Sequence, residues 1–329
     1  MSKVSKSILA FLLLAVSSSF SIGQTPSNDK EQSMNPLMEL IEAQQELTNL
    51  GNHQEAVEIG KAILDIFEEV LGPDHHHSAT GMSKLADSYE ALGDYKKALP
   101  LQIRSFEIYK KALGKGHLKT AISLNNLASL YRTLEQHEKA LPLQKQANAI
   151  FAKQYGAEHP ETALGESNLA LIYVGLEEYD QAISILKRVL KIYRKSLGQD
   201  HTDVASALNN LGATYQRKGK EATAIPILER ALGIRENKLG PNHLQTATTL
   251  HNLAISYENV GHAVKALPMY VRALDIRENA LGLLHPITMK SVNNLMEYYQ
   301  DRGSLEKAAL LQRRVDDARR QLAEVQKSK

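Results

Sequence analysis

The stretch LGPNHLQTATTLHNLA, residues 239–254, opens with a five-residue signature that recurs along the chain. Equivalent stretches are LGPDH (71–75), LGKGH (113–117), YGAEH (155–159), LGQDH (197–201) and LGLLH (281–285). The interval is 42 residues or a multiple of 42 in every case. A fixed period of this length is typical of proteins in which each unit buries its apolar face only against its neighbours. The stretch therefore predicts stacked repeats, not two or three ordinary domains.

Three further residue types keep the same period. Tyrosine occupies positions 89, 131, 173, 215, 257 and 299, leucine 85, 127, 169, 211, 253 and 295, and alanine 98, 140, 182, 224, 266 and 308. Apolar residues between these columns return every three or four positions, which is the helical period. Each unit is therefore predicted to hold two helices joined by a short turn. Small side chains in the alanine column allow the paired helices to approach closely.

The spacing of the leucine, tyrosine and alanine columns resembles the tetratricopeptide repeat, and the 42-residue form resembles the kinesin light chain type. Six units match over residues 71–318, whereas residues 34–70 match only at Gly51 and Ala56, as in a degenerate capping repeat. The resemblance implies an all-α fold, a right-handed superhelical α-solenoid of about seven helix-turn-helix pairs. It also implies a scaffold that binds other proteins.

The six histidines of the signature, at positions 75, 117, 159, 201, 243 and 285, could be metal ligands, catalytic bases or structural residues. Stacked units lie about 10 Å apart, whereas histidine ligands must all lie about 2 Å from one metal ion. No acid, serine or cysteine accompanies the histidines consistently, as catalysis would require. Each histidine is instead predicted to cap the first helix of a unit, and the glycine before it to adopt a left-handed C-cap.

The N-terminus is predicted to be an export signal. Residues 1–23 combine a short basic segment with the apolar run ILAFLLLAV and small residues suited to cleavage. Residues 24–33 are expected to form a flexible lead-in, and residues 319–329 a polar tail. The product would be periplasmic or secreted; a cytoplasmic protein is the alternative if the segment is not a functional signal. Nothing later in the sequence could insert into a membrane.

Composition narrows the function classes. Cysteine is absent, so disulfides, thiolate nucleophiles and Cys-based zinc sites are excluded. Without Lys3 and Lys6 the chain carries 37 basic and 37 acidic residues, which gives no electrostatic footprint for nucleic acid. No cofactor motif and no nucleophile–base pair is visible, and the chain is predicted not to be an enzyme.

The first helices of such repeats line a binding groove in the family. The residues expected there are Asn126, Asn168, Asn210, Asn252 and Asn294, with Asn125 and Asn209 beside them and Leu171, Ala213 and Ile255 forming an apolar middle. Lys84 and Asp87 would lie at one mouth, and Lys290 and Glu297 at the other. An asparagine amide can pair with both N–H and C=O of an extended peptide. The alternative, left open, is that the asparagines stabilise helix packing by bonding to neighbouring backbone.

The dicarboxylate clamp of other tetratricopeptide proteins needs cations one turn before these asparagines. Positions 122, 164, 206 and 248 hold Ile, Leu, Ser and Thr instead, so that clamp is not expected. The predicted function is a non-enzymatic scaffold that binds an extended segment of a protein or peptide partner in its groove. The alternative is an envelope assembly scaffold that self-associates through its ends or its convex face.

Overall fold

The computed structural model describes residues 35–49 and 51–327, so the predicted signal at 1–23 and lead-in at 24–33 lie outside the described residues. The described part consists of α-helices joined by short turns, which confirms the predicted all-α fold. Helices α1 (Asn35–Asn49) and α2 (His53–Leu71) precede the six repeats. The first helices of the repeats are α3 (His76–Ala91), α5 (Leu118–Thr133), α7 (Pro160–Gly175), α9 (Thr202–Arg217), α11 (Leu244–Asn259) and α13 (Pro286–Asp301). The second helices are α4 (Tyr95–Leu113), α6 (His137–Tyr155), α8 (Tyr179–Leu197), α10 (Glu221–Leu239), α12 (Ala263–Leu281) and α14 (Leu305–Lys327).

The chain divides into two compact units, Met1–Leu130 and Tyr131–Lys329. In the second unit each helix from α6 to α14 packs on the next one along the chain. One apolar cluster joins α7 to α10, and another joins α10 to α14. The second unit thus has the neighbour-to-neighbour core that a stack of repeats requires.

The alanine column explains how the helices of one repeat approach each other. Ala98, Ala140, Ala182, Ala224 and Ala266 are all fully buried. Methyl groups at these points leave no room for a larger side chain without displacing the neighbouring helix. The small-residue requirement predicted from the period is confirmed at all five positions.

The glycine of the signature follows the last residue of each second helix. Gly198 has φ 91° and ψ 164°. Its φ is positive, as predicted, but its ψ is extended, so the predicted left-handed helical C-cap is wrong. This combination of angles is open essentially to glycine alone, because a Cβ atom would collide with the backbone. The glycine therefore turns the chain abruptly from one repeat into the next.

The turn inside each repeat needs one residue with positive φ. Four repeats use glycine there, whereas Glu135 and Glu177 adopt φ values of 60° and 61°. A side chain in this left-handed region costs about 1–2 kcal/mol. The two glutamates show that the repeat geometry, and not the local sequence, sets this backbone conformation.

The C-terminal end differs from the predicted organisation. Residues 319–327, assigned to a polar tail, continue α14 as helix. Ion pairs one turn apart, Arg319–Asp316 and Arg320–Asp317, support this extension. None of the described helices is both long enough and apolar enough to cross a bilayer.

Candidate functional site

The signature histidines cap the first helices, as predicted. In each of the six, Nδ1 accepts a hydrogen bond from the backbone N–H two residues later. The N···N distances are 3.3 Å at His75, 3.1 Å at His117, 3.2 Å at His159, 3.2 Å at His201, 3.1 Å at His243 and 3.2 Å at His285. Each bond satisfies a donor that the helix itself leaves unpaired. The capping role is confirmed at all six positions.

Three consecutive histidines stand at the start of α3. The rings of His75 and His76 stack with centroids 4.4 Å apart, and His77 contacts both. Phe67 packs against His77 and buries it, so desolvation lowers the pKa of His77 to about 4. Across residues 35–49 and 51–327, no three His, Cys, Asp or Glu side chains are arranged to hold a metal ion.

Asparagines of the row form side-chain hydrogen bonds between successive first helices, and each such bond is called a rung below. Nδ2 of Asn210 donates to Oγ of Ser167 at 3.3 Å, and Nδ2 of Asn252 donates to Oδ1 of Asn209 at 3.1 Å. The same relation, always with a residue 43 positions earlier, links Asn126 to Ser83 and Asn294 to Nε2 of His251. In these four bonds the acceptor is a side chain of the preceding repeat. The structural alternative had named neighbouring backbone as the acceptor instead. Each of these bonds uses one of the two hydrogens that an amide carries.

The face of the second unit that carries Asn168, Asn210, Asn252 and Asn294 is called the asparagine face below. All four side chains are half-buried. Leu171, Ala213 and Ile255 lie one turn beyond Asn168, Asn210 and Asn252 and are also half-buried, whereas Asn209 is 5% exposed and belongs to the packing. In the first unit, Asn125 and Asn126 are half-buried on α5, and Lys84 and Asp87 form an ion pair on α3 at 3.5 Å.

One open cavity of about 550 Å³ lies on the asparagine face at α11 and α13. It brings together Ile255, Asn294 and Glu297, which the sequence had placed in the groove. Glu258 and Asp301 also line it and were not predicted. Asp301 follows Glu297 by one helical turn, and Arg302, which pairs with Glu258 at 2.8 Å, lines the same cavity, so this end of the face carries charges of both signs.

Two buried arginines reach the asparagine face from the second helices. Arg235 of α10 is 4% exposed and donates through Nη1 to the carbonyl of Gln245 and to Oγ1 of Thr249, and through Nη2 to Oγ of Ser206. These acceptors belong to α9 and α11. Burial lowers the pKa of the Arg235 guanidinium to about 10, and no carboxylate offsets that effect.

Arg277 of α12 repeats this arrangement one unit later. It is 5% exposed and donates through Nη1 to Oγ of Ser291 and through Nη2 to Oγ1 of Thr248. Burial lowers the pKa of its guanidinium to about 10 as well. Both arginines therefore place a buried positive charge beneath hydroxyl groups of the asparagine face.

Sequence reasoning missed these arginines although a signal was present. The equivalent position holds an aromatic residue in the earlier second helices, namely Phe67, Tyr109, Phe151 and Tyr193. It changes to arginine at 235, 277 and 319. A change from an aromatic side chain to a cation within one structural column marks a place where packing alone does not choose the residue.

Comparisons with known proteins agree with this architecture. The family model described as tetratricopeptide repeat matches residues 47–101, 78–153, 146–195, 161–237, 203–279 and 245–321. The chain is similar to the structure of a kinesin light chain-like protein of Podosopora anserina with nearly identical TPR-like repeats, at 27% identity, TM-score 0.53, and coverage of 62% of this chain and 96% of that one. BtubC (BKLC) from P. vanneervenii is 25% identical with TM-score 0.51, over 70% of this chain and 90% of that one.

A Rap protein complexed with competence and sporulation factor is similar in fold, with TM-score 0.66 over 98% of this chain and 87% of that one, at 17% identity. A search among curated proteins finds no match.

Proposed function

Because the chain belongs to the tetratricopeptide repeat family, we propose that it is a non-enzymatic scaffold that binds an extended segment of a partner protein along its asparagine face. The observation that carries this proposal is the row of half-buried amides, one per repeat, beside the half-buried apolar side chains Leu171, Ala213 and Ile255. Amides accept and donate to any peptide backbone, and apolar side chains between them select the partner's side chains.

The dimensions of the row fit this role. Asn168, Asn210 and Asn252 are separated by one repeat each, so they span about 20 Å at roughly 10 Å per pair of packed helices. About six residues of extended peptide cover that length at roughly 3.3 Å per residue. The rungs hold the amides in fixed positions before binding, which lowers the entropy lost when a ligand is fixed.

The known structures with this fold include a protein with a bound factor, the Rap protein with competence and sporulation factor. We extend protein or peptide binding to this chain on the strength of its own amide row. The proposal includes export to the periplasm or the medium, which rests on residues 1–23. The rival proposal is an envelope assembly scaffold, and it predicts that the chain self-associates.

The test begins with the partner. Affinity purification of the chain followed by mass spectrometry identifies it, and titration then measures its affinity for variants. We expect Leu171→Lys and Ile255→Lys each to weaken binding at least tenfold, or about 1.4 kcal/mol, because each places a charge in the apolar part of the face. Val264→Lys is the matched control, since Val264 is 90% exposed at the start of α12. It should bind like the wild type.

Normal binding by both groove variants would place the interface elsewhere and favour the assembly scaffold. Light scattering coupled to size-exclusion chromatography separates the two proposals independently. A monomer at micromolar concentration counts against self-association.

A further inference from the structure

The second unit carries one further structural column, one turn before the asparagines. Ser206, Thr248 and Lys290 hold equivalent positions 42 residues apart. Each precedes its asparagine by four residues and therefore lies on the same face of its helix. These are the positions at which the dicarboxylate clamp would carry its cations. Two of them hold hydroxyl groups, and only Lys290 is itself a cation.

The missing cations come from the second helices. Arg235 contacts the hydroxyl of Ser206 at 3.3 Å, and Arg277 contacts the hydroxyl of Thr248 at 3.5 Å. Positive charge therefore lies at three successive repeats along the asparagine face. We call Arg235, Arg277 and Lys290 the cation row.

The two arginines have unsatisfied bonding capacity. All their acceptors are neutral oxygens, and within the described residues no carboxylate pairs with either of them. Nε of Arg235 and Nε of Arg277 are buried and have no acceptor at all. Buried charges in proteins are normally paired, since an uncompensated cation loses its hydration without replacement. A buried donor without an acceptor in a native fold needs an explanation, such as a bound water or ion that accepts from it.

We infer that the cation row binds oxyanions, namely carboxylate groups of the partner segment that the asparagine face holds. The source of the carboxylates, a bound partner segment, rests on the proposed function. The site itself is independent of the proposed function, because it would also bind a free oxyanion. Ser206 and Thr248 are half-buried, whereas Arg235 and Arg277 are 4% and 5% exposed, so the hydroxyl residues lie nearer the surface than the guanidinium groups. Both hydroxyls already donate to carbonyls of their own helices, so an arriving carboxylate would take its hydrogen bond from the guanidinium N–H beside the hydroxyl.

The spacing of the row sets the pattern of the ligand. Neighbouring members are one repeat apart, about 10 Å, which is three residues of extended chain at roughly 3.3 Å each. Acidic side chains at positions i and i+3 therefore fit Arg235 and Arg277 together.

The test uses pooled seven-residue peptides with Asp fixed at positions 2 and 5 and the other positions randomised. Matched pools carry Asn at 2 and 5, or Asp at 2 and 4. Retention on the immobilised full chain is measured by mass spectrometry, and inorganic phosphate binding is measured by calorimetry. We expect the Asp 2/5 pool to be retained at least tenfold above both other pools.

Two variants each replace one arginine of the row with a large side chain, so that the core stays filled. Arg235→Tyr and Arg277→Tyr introduce the residue that Tyr193 supplies at the equivalent position, so both should fold, which circular dichroism verifies. Combined in one chain, the two changes should abolish the preference for Asp over Asn and the binding of phosphate at the two arginines. Arg272→Gln is the charge-matched control. Arg272 is not a member of the row and forms an ion pair with Glu236 at 2.7 Å. It should keep both.

Equal retention of Asp and Asn pools, or a preserved preference in the tyrosine variants, would overturn the inference while leaving peptide binding intact. Phosphate binding that the variants abolish, with no peptide retained, would support the oxyanion site and count against the proposed function. Binding of neither phosphate nor peptide would overturn the cation row.

Discussion

Asn252 and Asn209 are joined by a hydrogen bond from Nδ2 of the first to Oδ1 of the second, 3.1 Å long and 43 residues apart in sequence. The bond connects α11 to α9 and recurs, with a hydroxyl or an imidazole as acceptor, in other repeats. Asn252 is thus a structural connection between repeats. The ligand binding proposed for the same side chain therefore has to be separated from repeat packing by experiment.

Replacing Asn252 with alanine should lower the free energy of unfolding by about 1 kcal/mol. The change breaks the rung and leaves Oδ1 of the buried Asn209 without its donor, an effect that the better helix propensity of alanine offsets only in part. Urea denaturation measures it. Asn293→Ala is the control, because Asn293 is exposed on α13 and should change stability by less than about 0.5 kcal/mol. Equal effects at both positions would show that the rung contributes nothing.

The capping role predicts that two His→Ala changes at helix starts differ in their cost to stability. His243→Ala should cost about 1 kcal/mol, as for a lost N-cap, because Nδ1 of His243 accepts from the backbone N–H of Gln245. His262 occupies the N-cap of α12 without such a bond. His262→Ala should therefore cost clearly less in the same thermal unfolding assay. The reverse order would refute the capping role.

Two glycines with open space around them should respond in opposite directions to alanine. Beyond the local backbone, a Cβ at Gly198 or at Gly233 would meet no atom within 4 Å, so packing against the rest of the protein plays no part. Gly198→Ala should destabilise by about 1–3 kcal/mol, because φ 91° and ψ 164° strain any side chain. Gly233→Ala, inside α10, should stabilise by up to about 1 kcal/mol. Chemical denaturation of both variants decides. A neutral Gly198→Ala would mean that the turn relaxes freely.

Acid should destabilise the fold through His251. Burial, with Arg277 and Lys290 nearby, lowers the pKa of His251 to about 3 from an ordinary 6.5. Between these values the unfolded chain binds a proton that the folded chain does not, so stability falls as pH falls from about 6.5 towards 3. His251→Asn introduces the residue found at the equivalent Asn209 and removes this term. The variant should lose less stability than the wild type between pH 7 and pH 4. Parallel pH profiles would contradict the prediction.

Export is tested with a fusion. Residues 1–30 joined to a reporter that is active only outside the cytoplasm should give activity, and the mature chain should begin near Gln24. Deleting the apolar run ILAFLLLAV should abolish the signal. N-terminal sequencing of the purified protein provides the second measurement. An intact Met1 would show that residues 1–23 are not a cleaved export signal.

The period of 42 residues is enough to predict most of the fold. Helix pairs, buried alanines and capping histidines all follow from columns that repeat, because a stacked fold imposes the same environment on each copy. The glycine conformation did not follow, since positive φ is compatible with more than one ψ. The helical continuation of α14 was missed because its polar composition also suits a tail.

The candidate site was less predictable. The asparagine row is visible in the sequence, but its rungs are not, because each joins residues of different repeats and different columns. Arg235 and Arg277 are far in sequence from the hydroxyls they contact. Their importance comes from burial without a counter-charge, which only the packed structure shows.

The constant offset of the rungs has a consequence for how the gene can change. Suppose that recombination removes residues 198–239, one full period, and joins Leu197 to Gly240. The residue 43 positions before Asn252 would then be Ser167, which already accepts the same bond from Asn210. Caps, turns and rungs all find an equivalent partner across the new junction. Repeat number is therefore a property that duplication and deletion can alter in single steps, and each step lengthens or shortens the asparagine face by one equivalent unit.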